Sequence, residues 1–158
     1  MRRSLCLLAL ATACSGKGDT TAEGEVAGQS LAVASAWWGG PFVVIADQDY
    51  DCLDMSWVNR YYEEEEAPVD EDMMALQVTW NGDTIEPSLY DIAGEAALTV
   101  RLLTVSDGFF SIDKGRSGTV VIDQADDEGQ LVGTYEIAFT SGTLSGALDM
   151  DWCANLKG

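Results

Sequence analysis

Carboxylates are the residues with which this chain could do chemistry, and they recur in three arrangements. The first is the alternating run Asp47-Gln48-Asp49-Tyr50-Asp51-Cys52-Leu53-Asp54. Calcium takes about six to eight oxygen ligands, which Asp-x-Asp-x-Asp loops supply. The run does not complete a helix-loop-helix calcium loop, because Cys52 stands where its Gly belongs and Val58 where its bidentate Glu belongs. Asp47, Asp49 and Asp51 are therefore candidate ligands of an irregular Ca2+ site. The plainer alternative is a polar strand end running into a loop. The second arrangement, Asp126-Asp127-Glu128-Gly129, offers another cation site and reads more simply as a turn. The third is Asp149 and Asp151, which share one face of a strand about 7 Å apart, with Glu136 expected diagonal to Asp149. Paired carboxylates at such spacing can hydrolyse glycosides. They are also what the solvent face of any acidic strand presents, so no catalytic residue is assigned and a non-enzymatic protein is expected.

Other chemistry is excluded by composition. The chain has no histidine. That removes Ser-His-Asp and Cys-His nucleophile systems and the usual imidazole ligands of zinc, copper and iron. The formal charge is −19, so no nucleic acid partner is expected, because phosphate contacts need Lys and Arg. An acidic surface of this kind keeps a protein soluble and attracts cations.

Met1 to Cys14 carries an address. Arg2 and Arg3 give a positive start, Leu5 to Ala11 a short apolar run, and Ala11-Thr12-Ala13 small residues just before Cys14. This is the pattern of a lipoprotein signal, with Ala11 where Leu is more usual. The apolar run is shorter than the ~20 residues that span a bilayer. Residues 1–13 are expected to be removed, and Cys14 to carry the lipid anchor, palmitate-type acyl chains included, that ties the protein to a membrane. Cleavage takes two of the eight Lys and Arg and none of the 27 acids, moving the formal charge from −19 to −21. Residues 14–27 (Ser15-Gly16-Lys17-Gly18-Asp19-Thr20-Thr21 and onward) are small and polar and read as a flexible linker. The domain proper is expected over 28–158. In an oxidising envelope its two cysteines, Cys52 and Cys153, read as one disulfide.

The elements that must position these groups are β-strands. Leu131, Tyr135, Ile137 and Phe139 alternate with Val132, Thr134, Glu136 and Ala138, and Leu144, Leu148, Met150 and Trp152 with Ser145, Ala147, Asp149 and Asp151. A two-residue turn at Ser141-Gly142 would pair the two segments, with Phe139 facing Leu144 and Tyr135 facing Leu148. Further strands are expected at 29–37, 42–47, 74–80, 98–105, 109–113 and 118–124, with turns at Asn81-Gly82 and Asp107-Gly108. The expected fold is all-β, a single antiparallel sandwich or barrel of about eight short strands. The 53–66 segment departs from this pattern. Trp57, Val58, Tyr61 and Tyr62 suggest a short helix before Glu63-Glu64-Glu65-Glu66. Trp37 and Trp38, being neighbours on a strand, should point to opposite faces, one into the core and one exposed or covered by the 57–62 segment.

Several short motifs carry a family likeness. They are Gly28-Gln29-Ser30, Ile45-Ala46-Asp47 leading to Cys52, Ser117-Gly118-Thr119-Val120, Gly133-Thr134-Tyr135, and the closing Leu144-Ser145-Gly146-Ala147-Leu148-Asp149-Met150-Asp151-Trp152-Cys153. In these the chain resembles a group of uncharacterised lipoproteins from the myxobacteria and their relatives. The resemblance implies an envelope β-domain with a Cys–Cys clamp and no assigned activity. The sequence thus leads to an exported, lipid-anchored binding or structural module of the cell envelope, on the outer membrane, for a protein or glycan partner. The alternatives are a calcium-dependent adhesion module and, behind it, a carboxylate hydrolase.

Overall fold

A computed structural model describes residues 16–55, 72–93 and 97–156. The fold is all-β. Ten strands make it: β1 (Glu23–Val26), β2 (Ser35–Gly39), β3 (Phe42–Ala46), β4 (Met73–Trp80), β5 (Ser88–Asp91), β6 (Leu98–Ser106), β7 (Phe109–Lys114), β8 (Ser117–Ala125), β9 (Gln130–Phe139) and β10 (Gly142–Trp152). They form one sheet in the order β5-β8-β9-β10-β2-β3-β4-β6-β7, with β1 added beside β10. All pairs are antiparallel except β10 with β2, which run parallel through Asp151–Trp37 and Trp152–Trp38. The expected purely antiparallel sheet is thereby corrected to a mixed one.

The sheet curls on itself. The link between β7 and β8 makes the junction: the Gly115 N–H donates to the Val100 carbonyl and the Arg116 N–H to the Ala138 carbonyl, joining β6 to β9. Curling encloses a single inner core drawn from both halves, including Trp38, Ile45, Leu76, Leu102, Ile137, Leu144 and Met150. Curling also leaves β2, β3, β4 and β6 with an outward face, which a second layer covers. Trp37, Val44, Ala75 and Leu103 point outward and pack against Met55, Cys153 and Leu156. That is why β2 and β3 are buried at every position, while β9 alternates strictly. Cys52 and Cys153 are disulfide-bonded, with Cα atoms 5.4 Å apart across 101 residues. The bond staples the outer layer to the end of β10.

Two expectations move. The C-terminal hairpin keeps its predicted faces but shifts by two residues. Its turn is Thr140-Ser141, so Gly142 opposes Phe139, Leu144 opposes Ile137 and Gly146 opposes Tyr135. A shift of two preserves sidedness, which is all that alternation reports. The reason lies outside the hairpin. Gly142 is itself a paired strand residue, and a Cβ there would meet the Glu25 carbonyl of β1.

The second correction concerns the expected linker over 14–27. From Gly16 onward it is part of the fold. Gly16 packs on the Trp37 ring and accepts the Asp151 N–H at 2.8 Å. The buried Thr20 hydroxyl donates to the Asp149 carbonyl at 2.8 Å and accepts the Asp149 N–H at 2.9 Å. The Thr21 hydroxyl accepts the Ala147 N–H, and β1 then pairs with Gly142 to Ser145. This strap supplies the hydrogen bonds that the free edge of β10 would otherwise lack. A small polar sequence orders because its partner already exists as a strand, not because of its own propensity. The domain therefore begins before Gly28. Of the expected 53–66 helix, one helical turn over 52–55 is seen; Trp57, Val58, Tyr61, Tyr62 and the four glutamates lie outside the described residues, as does Cys14.

Candidate functional site

The aspartates singled out from the sequence do not converge. Asp47 is half-buried at the end of β3, and its carboxylate accepts the Met74 N–H of β4 at 2.9 Å. Asp51 caps the helical turn, accepting the N–H groups of Leu53 and Asp54 at 2.8 and 2.9 Å. Asp49 is exposed between them. Two of the three thus serve the backbone. No group of three or more Asp, Glu, Cys or His arranged for a metal occurs among the described residues. If these aspartates hold no cation, calcium and magnesium at equal concentration should move the unfolding midpoint equally, against EDTA. A saturable rise specific to calcium would overturn that expectation.

Burial sets the protonation of Asp47. Desolvation raises its pKa above 3.8, and the Met74 N–H opposes part of the rise. The folded state then holds this proton more tightly than the unfolded chain. The contribution of Asp47 favours folding at low pH and is lost as the pH rises through its native value. At pH 7 the buried charge is a net cost. Asp47→Asn keeps an acceptor for Met74 and should raise the unfolding midpoint at pH 7, with the gain shrinking as the pH falls toward 3.8. A lower midpoint at pH 7 would show that the carboxylate is held by a favourable partner instead.

Asp149 and Asp151 do share a strand, but the hairpin shift places Glu136 opposite Ser145, four residues from Asp149. Asp149 is also engaged. It accepts the Asp19 N–H of the strap at 3.2 Å and the Gln130 side-chain amide. The expected triad of carboxylates is not assembled.

A pocket does form, and only part of its lining is marked in the sequence. At the end of the sheet reached by β2, β8 and β10, a pocket of about 720 Å³ opens. Its apolar wall is Trp38, Trp152, Pro41 and Ile85, and its rim carries Asp83, Asp127 and Glu128. Trp38 and Trp152 meet edge to face with centroids 4.7 Å apart. The Trp38 indole N–H donates to the Gly129 carbonyl at 3.1 Å, which fixes the β8–β9 turn beside the aromatic wall. That turn is the Asp126-Asp127-Glu128-Gly129 segment. It closes through the Gly129 N–H to the Asp126 carbonyl, so it is a turn, as the simpler reading held. Trp37 lies in the outer layer with Met55, Cys153 and Leu156, against Gly16, and its indole donates to the Tyr50 carbonyl; the 57–62 segment expected beside it lies outside the described residues. Asp83 and Trp152 were missed as site residues. Nothing local marks them, because the pocket is assembled from four segments spread over more than 100 residues of sequence.

A hollow of about 460 Å³ at the opposite end includes Asp47 and Asp72. Asp72 accepts the Asp107 N–H at 2.7 Å. Its carboxylates are therefore largely occupied with the backbone.

These features define a disulfide-stapled, all-β domain whose curled sheet carries an aromatic, acid-rimmed pocket at one end. Comparison with known proteins finds no matching family model, no matching curated protein and no matching solved structure.

Proposed function

We propose that the protein is an exported, non-enzymatic binding module of the cell envelope, anchored through a lipid on Cys14, and that the pocket at the β2–β8–β10 end takes its ligand. The observation that carries this reading is the pocket itself. Its aromatic and aliphatic wall gives area for burial, and a few polar groups at the rim give orientation, the usual composition of a small-ligand site. The anchor rests on the signal pattern before Cys14 and on the likeness to envelope lipoproteins. The strap adds a consequence. Gly16, two residues after Cys14 in sequence, is bonded to the strand end that carries Trp152. The pocket end would then sit close to the bilayer rather than on a long tether.

Two measurements test this. Membrane fractionation should find the wild type in the detergent-soluble membrane fraction and Cys14→Ser in the soluble one. A panel of monosaccharides, amines and amino-acid amides, read by unfolding midpoint on the Cys14→Ser domain, should yield a compound whose effect is lost in Trp152→Leu. Compounds that stabilise both variants equally would show binding elsewhere and remove the pocket from the proposal.

A further inference from the structure

Resting on the reading of the pocket as the binding site, we infer that it takes a cationic organic group, an alkylammonium or guanidinium head. Asp83, Asp127 and Glu128 come from two separate connections, after β4 and between β8 and β9, and meet at one opening. No Lys or Arg lines the pocket among the described residues. The wall between these carboxylates is indole. Trp152 lines the cavity and is only partly buried, while the buried Trp38 meets it edge to face. Indole is the side chain that attracts a cation most strongly through its face, and it does so best when the cation leaves water. A bare metal ion needs converging oxygens and gains little from an apolar wall. An organic cation uses both parts: its alkyl surface covers Trp152, Pro41 and Ile85, and its charge is met by the rim. A neutral sugar would use the wall but gain no charge attraction from the three exposed carboxylates at the mouth, and an anion would be repelled. The chain's overall charge of −19 draws cations toward every face. The pocket is distinguished from the rest of that surface by its wall.

Such a head arrives in two ways, as a free amine or side chain, or as the headgroup of a zwitterionic lipid in the bilayer beside the anchor. The test separates them. The Cys14→Ser domain is titrated with choline, with its uncharged isostere 3,3-dimethylbutan-1-ol, and with sodium chloride at matched ionic strength, reading tryptophan fluorescence. The expected result is a saturable response to choline, about tenfold weaker for the isostere and absent for sodium. The double variant Asp83→Asn, Asp127→Asn, which leaves the wall and the core untouched, should weaken choline by a similar factor. Phosphatidylcholine vesicles form a second arm. Co-sedimentation lost in the same double variant identifies the lipid headgroup as the source, and its absence alongside choline binding identifies a soluble cation. Equal binding of choline and the isostere, lost in Trp152→Leu, would overturn the preference for cations while leaving the pocket as the binding site. A choline response no greater than that of sodium chloride would overturn the inference outright.

Discussion

Replacing both halves of the disulfide, in a Cys52→Ala, Cys153→Ala variant, should lower stability by about 4 kcal/mol and the unfolding midpoint by roughly 10–15 °C. The bond closes a loop of 101 residues, for which the chain-entropy account gives close to 4.7 kcal/mol at 25 °C. A native-state effect adds to this. Cys153 and Leu156 are fully buried in the outer layer over β2, β3 and β4, together with Met55. The bond ties the 47–55 segment directly to the C-terminal tail. Without it, both flaps of that layer are held by packing and a few backbone bonds, such as Cys153 N–H to the Trp38 carbonyl at 2.7 Å. Wild type treated with reductant should unfold at the same midpoint as the double variant, because both test the same constraint. Loss of less than about 1 kcal/mol would mean that the unfolded chain is already compact between the two cysteines, and the entropic account would fail.

The second large effect is expected at the strap. Thr20→Val should cost about 2 kcal/mol, and Thr20→Ser close to nothing. The Thr20 side chain is buried, and its hydroxyl both donates to and accepts from the backbone of Asp149. Valine keeps the shape and removes both bonds, leaving an N–H and a carbonyl in the middle of β10 without partners. Serine restores them. Deleting residues 16–27 takes the argument further. It removes the β1 pairing, the core contact of Val26 and the bonds from Gly16 and Thr21, and it leaves much of an 11-residue strand with an open edge. Open edges pair with other chains, so the truncated domain should self-associate more than the intact domain, seen by sedimentation or light scattering. A monomeric truncation of unchanged stability would show that the strap is an ornament on a complete sheet.

The sequence by itself determined which segments are strands and which of their faces turn inward. Seven strands were legible close to their bounds, because alternation, β-branched runs and turn residues such as Asp107-Gly108 are local properties and the inner core selects for them directly; the strand expected over 29–37 instead runs Ser35–Gly39. The Asp107-Gly108 turn is present with both residues at positive φ, 52° and 75°, as a two-residue hairpin requires. The pairing of Cys52 with Cys153 was legible too, since the reading left those two cysteines for the domain. β1 and β5 were not. Glu23-Gly24-Glu25-Val26 and Ser88-Leu89-Tyr90-Asp91 are four residues each, largely exposed, with no apolar alternation to read. They are strands because β10 and β8 offer them an edge.

Tertiary structure alone decided everything that depends on partners distant in the chain. It set the hairpin register, since a shift of two leaves the faces unchanged and only β1, more than 110 residues away, distinguishes the two pairings. It made β10 and β2 parallel, and it turned an apparent tether into a strap. It also dispersed the aspartates of the 47–54 run, because a carboxylate beside an unpaired N–H bonds it at once, whatever spacing the sequence shows. The same curling of the sheet brought Asp83, the β8–β9 turn and Trp152 to one opening. No local pattern encodes that opening, because its walls are ordinary core residues until the ends of the strands place them side by side.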